Sequence, residues 1–151
     1  MFTTHWMFGS LDAAPCLTLR KEVLQQECGW PEDVAFDWYD GIAAHLLVRE
    51  SGVPVASARI FPLEGSTRID SICVLAHKRG VHYGDLCTRL LLYKAEQLEQ
   101  PWITALVPAG MEAYYQGFGF SSQGKGDETG RTLFQVKKGE IIWDSLCKHE
   151  E

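Results

Sequence analysis

"VLAHKRGVHYGDLCTRLLLYKA", residues 74–95, is the stretch on which the fold turns. It opens on the end of "TRIDSICVL", a run rich in branched side chains that predicts a strand. It closes in an amphipathic helix. Leu86, Cys87, Leu90, Leu91, Lys94, Ala95 and Leu98 recur at the spacing of one helical face, and Pro101 follows its end. Between the two lies a basic turn, His77, Lys78 and Arg79, followed by glycines at 80 and 84. Gly80 is free to take a positive φ, which lets successive backbone N–H groups converge into a concave nest. Gly84 stands at the helix start, where unpaired donors and a partial positive charge gather and a missing side chain allows close approach. Arg79 either contacts the guest directly or fixes the turn's own carbonyls. The turn therefore predicts an anion site. It is neither G-x-x-x-x-G-K-[ST] nor G-x-G-x-x-G.

Outward from this stretch the elements alternate. Residues 3–8 predict a short strand, and Leu17, Val23, Leu24 and Cys28 a helix that begins after Pro15 and ends at Gly29. "PEDVAFDWYD" reads as a short helix or loop, acidic and aromatic. "AAHLLVRE", "SG" and "VPVASARIF" predict a hairpin of two buried strands, with Gly65 turning the chain into the next. After the long helix come a strand at "WITALV", a short helix at "AGMEAYYQG" and a last strand at "RTLFQVKK". A hairpin followed by strand, helix, strand, helix, strand predicts an α/β protein layered on a mixed sheet.

The turn and its flanks resemble the acyl-CoA pyrophosphate loop of the GNAT acyltransferase superfamily, where a strand ending in Val leads through R-G-x-G-x-G or R-x-x-G-x-G/A into a long helix. "AYYQGFGF" is similar to that superfamily's aromatic–Tyr…Gly-Phe segment. "LRKEVLQQECGWPEDVAFDWYDGIAAHLLV" with "PVASARI" resembles a bacterial branch in which an arginine-rich first helix precedes an acidic D-x-x-D stretch and a strand beginning near His. The resemblance spans residues 15–138. It implies the GNAT fold: a mixed, mostly antiparallel sheet with helices on both faces, in one domain over 1–151. It also implies acetyl-CoA as co-substrate and an amine as acceptor. The cofactor contacts fall on the main chain of Ile72 and Val74 and on the turn Arg79, Gly80, Val81, His82, Tyr83, Gly84 and Asp85. Three positions depart from the pattern, one of them Ala76, which stands where a proline is frequent. His82 replaces the middle glycine, and Pro108 stands where an asparagine is frequent after the fifth strand. His tolerates positive φ better than most residues, so the turn is expected to survive.

Acyl transfer to an amine needs proximity, a group to take the amine's proton and a donor for the departing thiolate. Tyr115 falls on the family's tyrosine position, and a phenol is neutral and protonated near pH 7. Tyr114 is assigned to the core. Asp70 is the carboxylate inside an apolar strand, placed by period two on the side of Val74. It is the first candidate for the base, and its other reading is as ion partner of Arg59 or Arg68. His45 is the second candidate. Asp37 and Asp40 either form an acidic rim or cap a helix, and Cys73 reads as core.

Composition narrows the classes. With 20 acidic against 14 basic residues and a net charge of −6, the chain lacks the cationic surface that non-specific nucleic-acid binding demands. The cysteines are scattered without C-x-x-C, and the histidines make no metal-ligand spacing, so no metal is expected. No apolar run reaches membrane-spanning length and no signal peptide is evident, so the expected setting is cytoplasmic. Acceptor loops are expected at 29–42 and 121–130. Residues 140–151 form an apolar extension, with Ile141, Ile142, Trp143 and Leu146, expected to cover the sheet or a second copy in a homodimer. Two other readings remain open. "DWYDGIAAHLLV" and "SARIFPL" also resemble acyl-homoserine-lactone synthases, and an acyl-CoA sensor without catalysis would use the same turn.

Overall fold

The computed structural model describes residues 1–143. Leu146 and Cys147 lie outside the described residues. Seven strands form one sheet in the order β1-β2-β3-β4-β5-β7-β6. They are β1 (Phe2–Phe8), β2 (Ala44–Glu50), β3 (Val53–Leu63), β4 (Ser66–Val74), β5 (Trp102–Val107), β6 (Ser121–Gly126) and β7 (Thr132–Lys137). Every pairing is antiparallel except β4 with β5. Parallel neighbours need a crossover, and the helix α4 (Tyr83–Gln97) supplies it.

The alternation of β2 shows why helices lie on both faces. Leu46 and Val48 point into a core with Cys87, Leu91 and Leu92 of α4. Leu47, between them, points the other way and packs with Cys16, Leu19, Val23 and Leu24. These belong to α2 (Ala14–Arg20), which follows the single turn α1 (Gly9–Asp12), and to the helical turns beyond. Pro15 sits in the first turn of α2, where its missing N–H costs nothing. The helix anticipated between Pro15 and Gly29 is continuous, but its second half, Lys21–Glu27, widens into π-helical turns, with Cys28 N–H reaching the carbonyl of Val23. Periodicity alone does not separate the two helix types. "PEDVAFDWYD" folds as α3 (Glu32–Ala35) and a 3₁₀ turn at Trp38–Gly41.

The strand β6 had no counterpart in the sequence reading. It is an edge strand, exposed throughout, and it shows no apolar alternation. Its presence moves 121–126 from loop to sheet. The short helix α5 (Glu112–Gly117) precedes it. After β7, Ile141 is buried in the α4-side core and the N–H of Ile142 donates to the carbonyl of Phe118. Among the described residues no helix is long and apolar enough to cross a membrane.

Candidate active site

The parallel pairing of β4 with β5 ends early. Ser66, Thr67, Arg68 and Ile69 face Trp102, Ile103, Thr104 and Ala105, and beyond Ala105 the strands part. The departure begins at an irregularity in β4. Arg59 of β3 faces Asp70, but Ser57, two residues earlier, faces Cys73, so β4 carries one extra residue. Ser71 takes it up with φ 56, the signature of a bulge. A bulge inverts the alternation of side chains. Asp70 thus shares a face with Cys73 and not with Val74, which corrects the period-two placement. Asp70 lies on the α2 side, Val74 on the α4 side.

A cavity of about 460 Å³ opens where the strands part. That size suits a small-molecule site. Ile72 and Val74 line it from β4, Leu106 and Pro108 from the end of β5, and Val23 and Leu24 from the π-helical turns. Tyr115 of α5 reaches its wall and Tyr114 does not. The Tyr114 hydroxyl instead donates to the carboxylate of Asp85, in a buried contact that, with burial itself, holds the phenol's pKa far above its ordinary value. The rings of Tyr115 and Phe120 meet edge to face at 5.5 Å, which fixes the Tyr115 ring.

The glycine turn closes one end. Gly80 has φ 85 with open space where a Cβ would stand, and His82 has φ 71, so both take the left-handed conformation a nest requires. His82 is the N-cap of α4 and gives it no side-chain cap. The first turn of a helix has no preceding carbonyls for its N–H groups, so donors face outward at Gly84. Arg79 fixes the turn: its Nε donates to the carbonyl of Val74 at 3.0 Å, and its terminal nitrogens grip Glu27 at 2.6 and 2.7 Å. Val74, Arg79 and Gly84 line the main cavity. Val81, His82, Tyr83 and Asp85 line a neighbouring pocket of about 350 Å³, with Phe2 and Arg89. The turn therefore stands between two hollows.

Below the cavity lies a buried ionic lattice. Arg59 donates from Nε and Nη2 to Asp70 at 2.8 and 2.9 Å, and from Nη1 to Asp37 at 2.6 Å and Asp40 at 3.1 Å. Arg20, fully buried, donates to Asp40 at 2.6 Å. Asp37 and Asp40 form a capping box at Trp38–Gly41, so the cap is their role and not a free acidic rim. Burial pushes the Asp70 carboxyl up, but the charge and hydrogen bonds of Arg59, with Arg131 and Arg20 behind, hold it below the usual carboxylate range. Asp70 lines the cavity. His45 does not. Its Nδ1 faces the Nη2 of Arg20 at 3.2 Å and its Nε2 the carbonyl of Asp40 at 3.1 Å. Arginine only donates and a carbonyl only accepts, so the ring is neutral with its proton on Nε2. Burial, the leading cause, likewise holds its pKa down. Cys73 is buried, and burial pushes its thiol up to about 12. Among the described residues no cluster could hold a metal ion.

Three contributors were not legible beforehand: the bulge at Ser71, the burial of Arg20, and Arg131, which lines the cavity with its guanidinium 4.4 Å over the Trp30 ring. The D-x-x-D spacing carried a signal for Arg20, since two carboxylates so placed need cations once buried. No local signal marked Ser71.

No protein-family model matches the chain. Solved structures do. Escherichia coli ElaA is 20% identical, with 89% of this chain and 99% of that one covered at a TM-score of 0.77. An acyl-CoA N-acyltransferase of Pseudomonas aeruginosa is 22% identical over the same shares, 89% and 99%, at 0.75. The PaiA N-acetyltransferase of Thermoplasma acidophilum, solved in complex with coenzyme A, is 8% identical over 89% and 99%, at 0.64. Identities this low speak for backbone architecture, and the seven-stranded, mostly antiparallel sheet with its single parallel pair agrees: the chain has the fold of the GNAT acetyltransferases.

Proposed function

We propose that this protein transfers an acetyl group from acetyl-CoA to a primary amine, of a small molecule or a peptide, by direct attack in a ternary complex. The observation that carries this is the parting of β4 and β5 beside the glycine turn, with Tyr115 on the wall of the resulting cavity. A strand that has lost its neighbour offers main-chain groups at Ile72 and Val74 for the amides of pantetheine, while the nest at 79–85 takes the pyrophosphate. The Thermoplasma relative in complex with coenzyme A supports the same choice of cofactor.

Tyr115 donates a proton to the departing thiolate. Of the two candidates for the base, only Asp70 lines the cavity. Its carboxyl is held ionised by Arg59, so it acts through water ordered on its remaining lone pairs rather than by keeping the proton. His45 positions Arg20 and Asp40. The acidic limb of a pH–rate profile then belongs to the amine and not to Asp70.

Calorimetry with acetyl-CoA and thiol release across a panel of amines test the reading. Tyr115→Phe is expected to lower kcat roughly tenfold to a thousandfold with little change in KM. Tyr114→Phe is expected to leave kcat near wild type and to lower stability, because Asp85 loses a buried donor. Equal behaviour of the two variants refutes the assignment of roles. Acetyl-CoA binding without thiol release on any amine points to a sensor instead.

A further inference from the structure

Ion pairs close around most charges near the cavity. The two carboxylates in its wall, Glu27 and Asp70, are held by Arg79 and Arg59. Arg131, also in the wall, is held by Asp127. A polycationic acceptor would therefore meet, among the described residues, no carboxylate left over in this wall. Arg68 stands apart. Its Nε donates to the Thr104 hydroxyl at 2.9 Å, and the four N–H groups on its terminal nitrogens find no acceptor among the described residues. The side chain is half-buried, yet, unlike the Nε of Arg20, those nitrogens are not sealed from solvent.

The register fixes where this fork sits. Arg68 faces Thr104 on β5. Each is two residues before a residue of the cavity wall, Asp70 on β4 and Leu106 on β5, a distance of about 7 Å along the strands. Arg68 shares the α2-side face with Asp70, because Phe61, its partner on β3, is two residues from Arg59 and on the same face. The guanidinium of Arg131 is near enough to repel that of Arg68. Burial, this repulsion and that of Arg59 outweigh the attraction of Asp70 and lower the pKa of Arg68. A guest anion would offset both the cost of burial and the repulsion. That anion does not belong to the cofactor, since the glycine turn lies past Val74, about 20 Å further along the strand. It belongs to the second substrate.

We propose that Arg68, with Arg131 beside it, binds the carboxylate of the acceptor, so that the acceptor is a free amino acid. The inference rests on the acyltransferase reading above and names its substrate class. A guanidinium fork matches a carboxylate with two parallel hydrogen bonds, and its place below the cavity holds the amine of the same molecule toward the thioester. In the transfer the amine nitrogen bonds to the acetyl carbon, the carbon–sulfur bond breaks, the thiolate takes a proton from Tyr115, and the proton that the amine gives up returns through water to the Tyr115 phenol. The products are an N-acetyl amino acid and free coenzyme A.

The test compares the α-amino acids with their decarboxylated amines, L-phenylalanine with phenethylamine among them, as acceptors in acetyl-CoA-dependent thiol release by the wild-type chain. At least one amino acid is expected to exceed its decarboxylated partner tenfold or more in kcat/KM. Arg68→Gln is then expected to raise the KM for that amino acid at least tenfold, with the Kd of acetyl-CoA unchanged, and Arg68→Lys to restore only part. Decarboxylated amines used equally well or better overturn the inference and leave the acyltransferase reading standing. So does acetyl-CoA binding without use of any amino acid. Failure to bind acetyl-CoA overturns both. The wild-type comparison decides the matter even if the variants do not fold.

Discussion

Arg59→Gln tests whether the ionic lattice under the cavity is structural. The substitution keeps length and some hydrogen bonding but removes the charge that three carboxylates share. They are not equally dependent on it. Asp40 keeps Arg20 at 2.6 Å, and Asp37, whose side chain is 30% exposed, keeps water and its capping contact. Asp70, with a side chain 4% exposed, is left ionised in the core without a cation bonded to it. Breaking a buried pair by removing one partner costs about 3–5 kcal/mol, out of the roughly 5–15 kcal/mol that holds a domain folded. For a chain of this length each kcal/mol moves Tm by about 2–4 °C, so a fall of about 6–20 °C is expected. The pH dependence gives a second reading. In the wild type the Asp70 carboxyl is held low, so its stabilisation is present above the ordinary carboxylate range and is lost as pH falls through the lowered value. In the variant, burial prevails and raises the same pKa. The penalty then disappears below the ordinary range and grows as pH rises through it. Urea denaturation should show the gap between wild type and variant widest at neutral pH and narrowing below about pH 4. Arg59→Gln combined with Asp70→Asn should lose less than the sum of the two single variants, by about 1–3 kcal/mol. A gap that stays constant with pH, together with strict additivity, would refute the lattice as described.

Two further outcomes follow from the same geometry. Gly84→Glu places a carboxylate where the helix start meets the cavity, and calorimetry should show acetyl-CoA affinity falling more than tenfold while circular dichroism stays unchanged; unaltered affinity would put the cofactor elsewhere. Ending the chain at Gly139 removes Ile141 from the α4-side core and should cost about 1.5–3 kcal/mol in a urea titration, a loss that would be absent if that segment packed on nothing.

The long helix and the hairpin were legible because each buries one face and leaves the period of that face in the residues. Tyr115 could be separated from Tyr114 for a related reason: adjacent helical positions point about 100° apart, so the register that gives one tyrosine to the cavity gives the other to Asp85. His82 was legible as a residue able to stand in for glycine, and it does so at φ 71. Other features left no such trace. Strand β6 gains its structure from β7 alone and has no buried face, so "SSQGKG" alternates in nothing. The π-helical turns keep the composition of an α-helix. Ser71 is an ordinary strand residue by type, and its positive φ comes from tertiary contacts on either side. Because the alternation inverts there, every inference from period two that crossed it, Asp70 with Val74 above all, was bound to put a side chain on the wrong face.

That inversion also connects the lattice to the cavity. A non-glycine residue at positive φ costs on the order of 1–3 kcal/mol unless its surroundings hold it there. On one side of Ser71, Asp70 is gripped through both oxygens by Arg59. On the other, Cys73 is seated in the α2-side core and Val74 in the α4-side core, while the Val74 carbonyl accepts from Arg79. The segment between these anchors has one residue more than its partner strand, and the excess is taken up at Ser71. Once β4 bends there it leaves β5, and the main chain at Ile72 and Val74 turns to the cavity instead of to a neighbour. Charges are expensive in a core, and apolar side chains would fill the same volume at less cost. Apolar side chains would not hold Asp70 at a fixed point along the strand. The lattice fixes that point, and with it the place where the sheet opens.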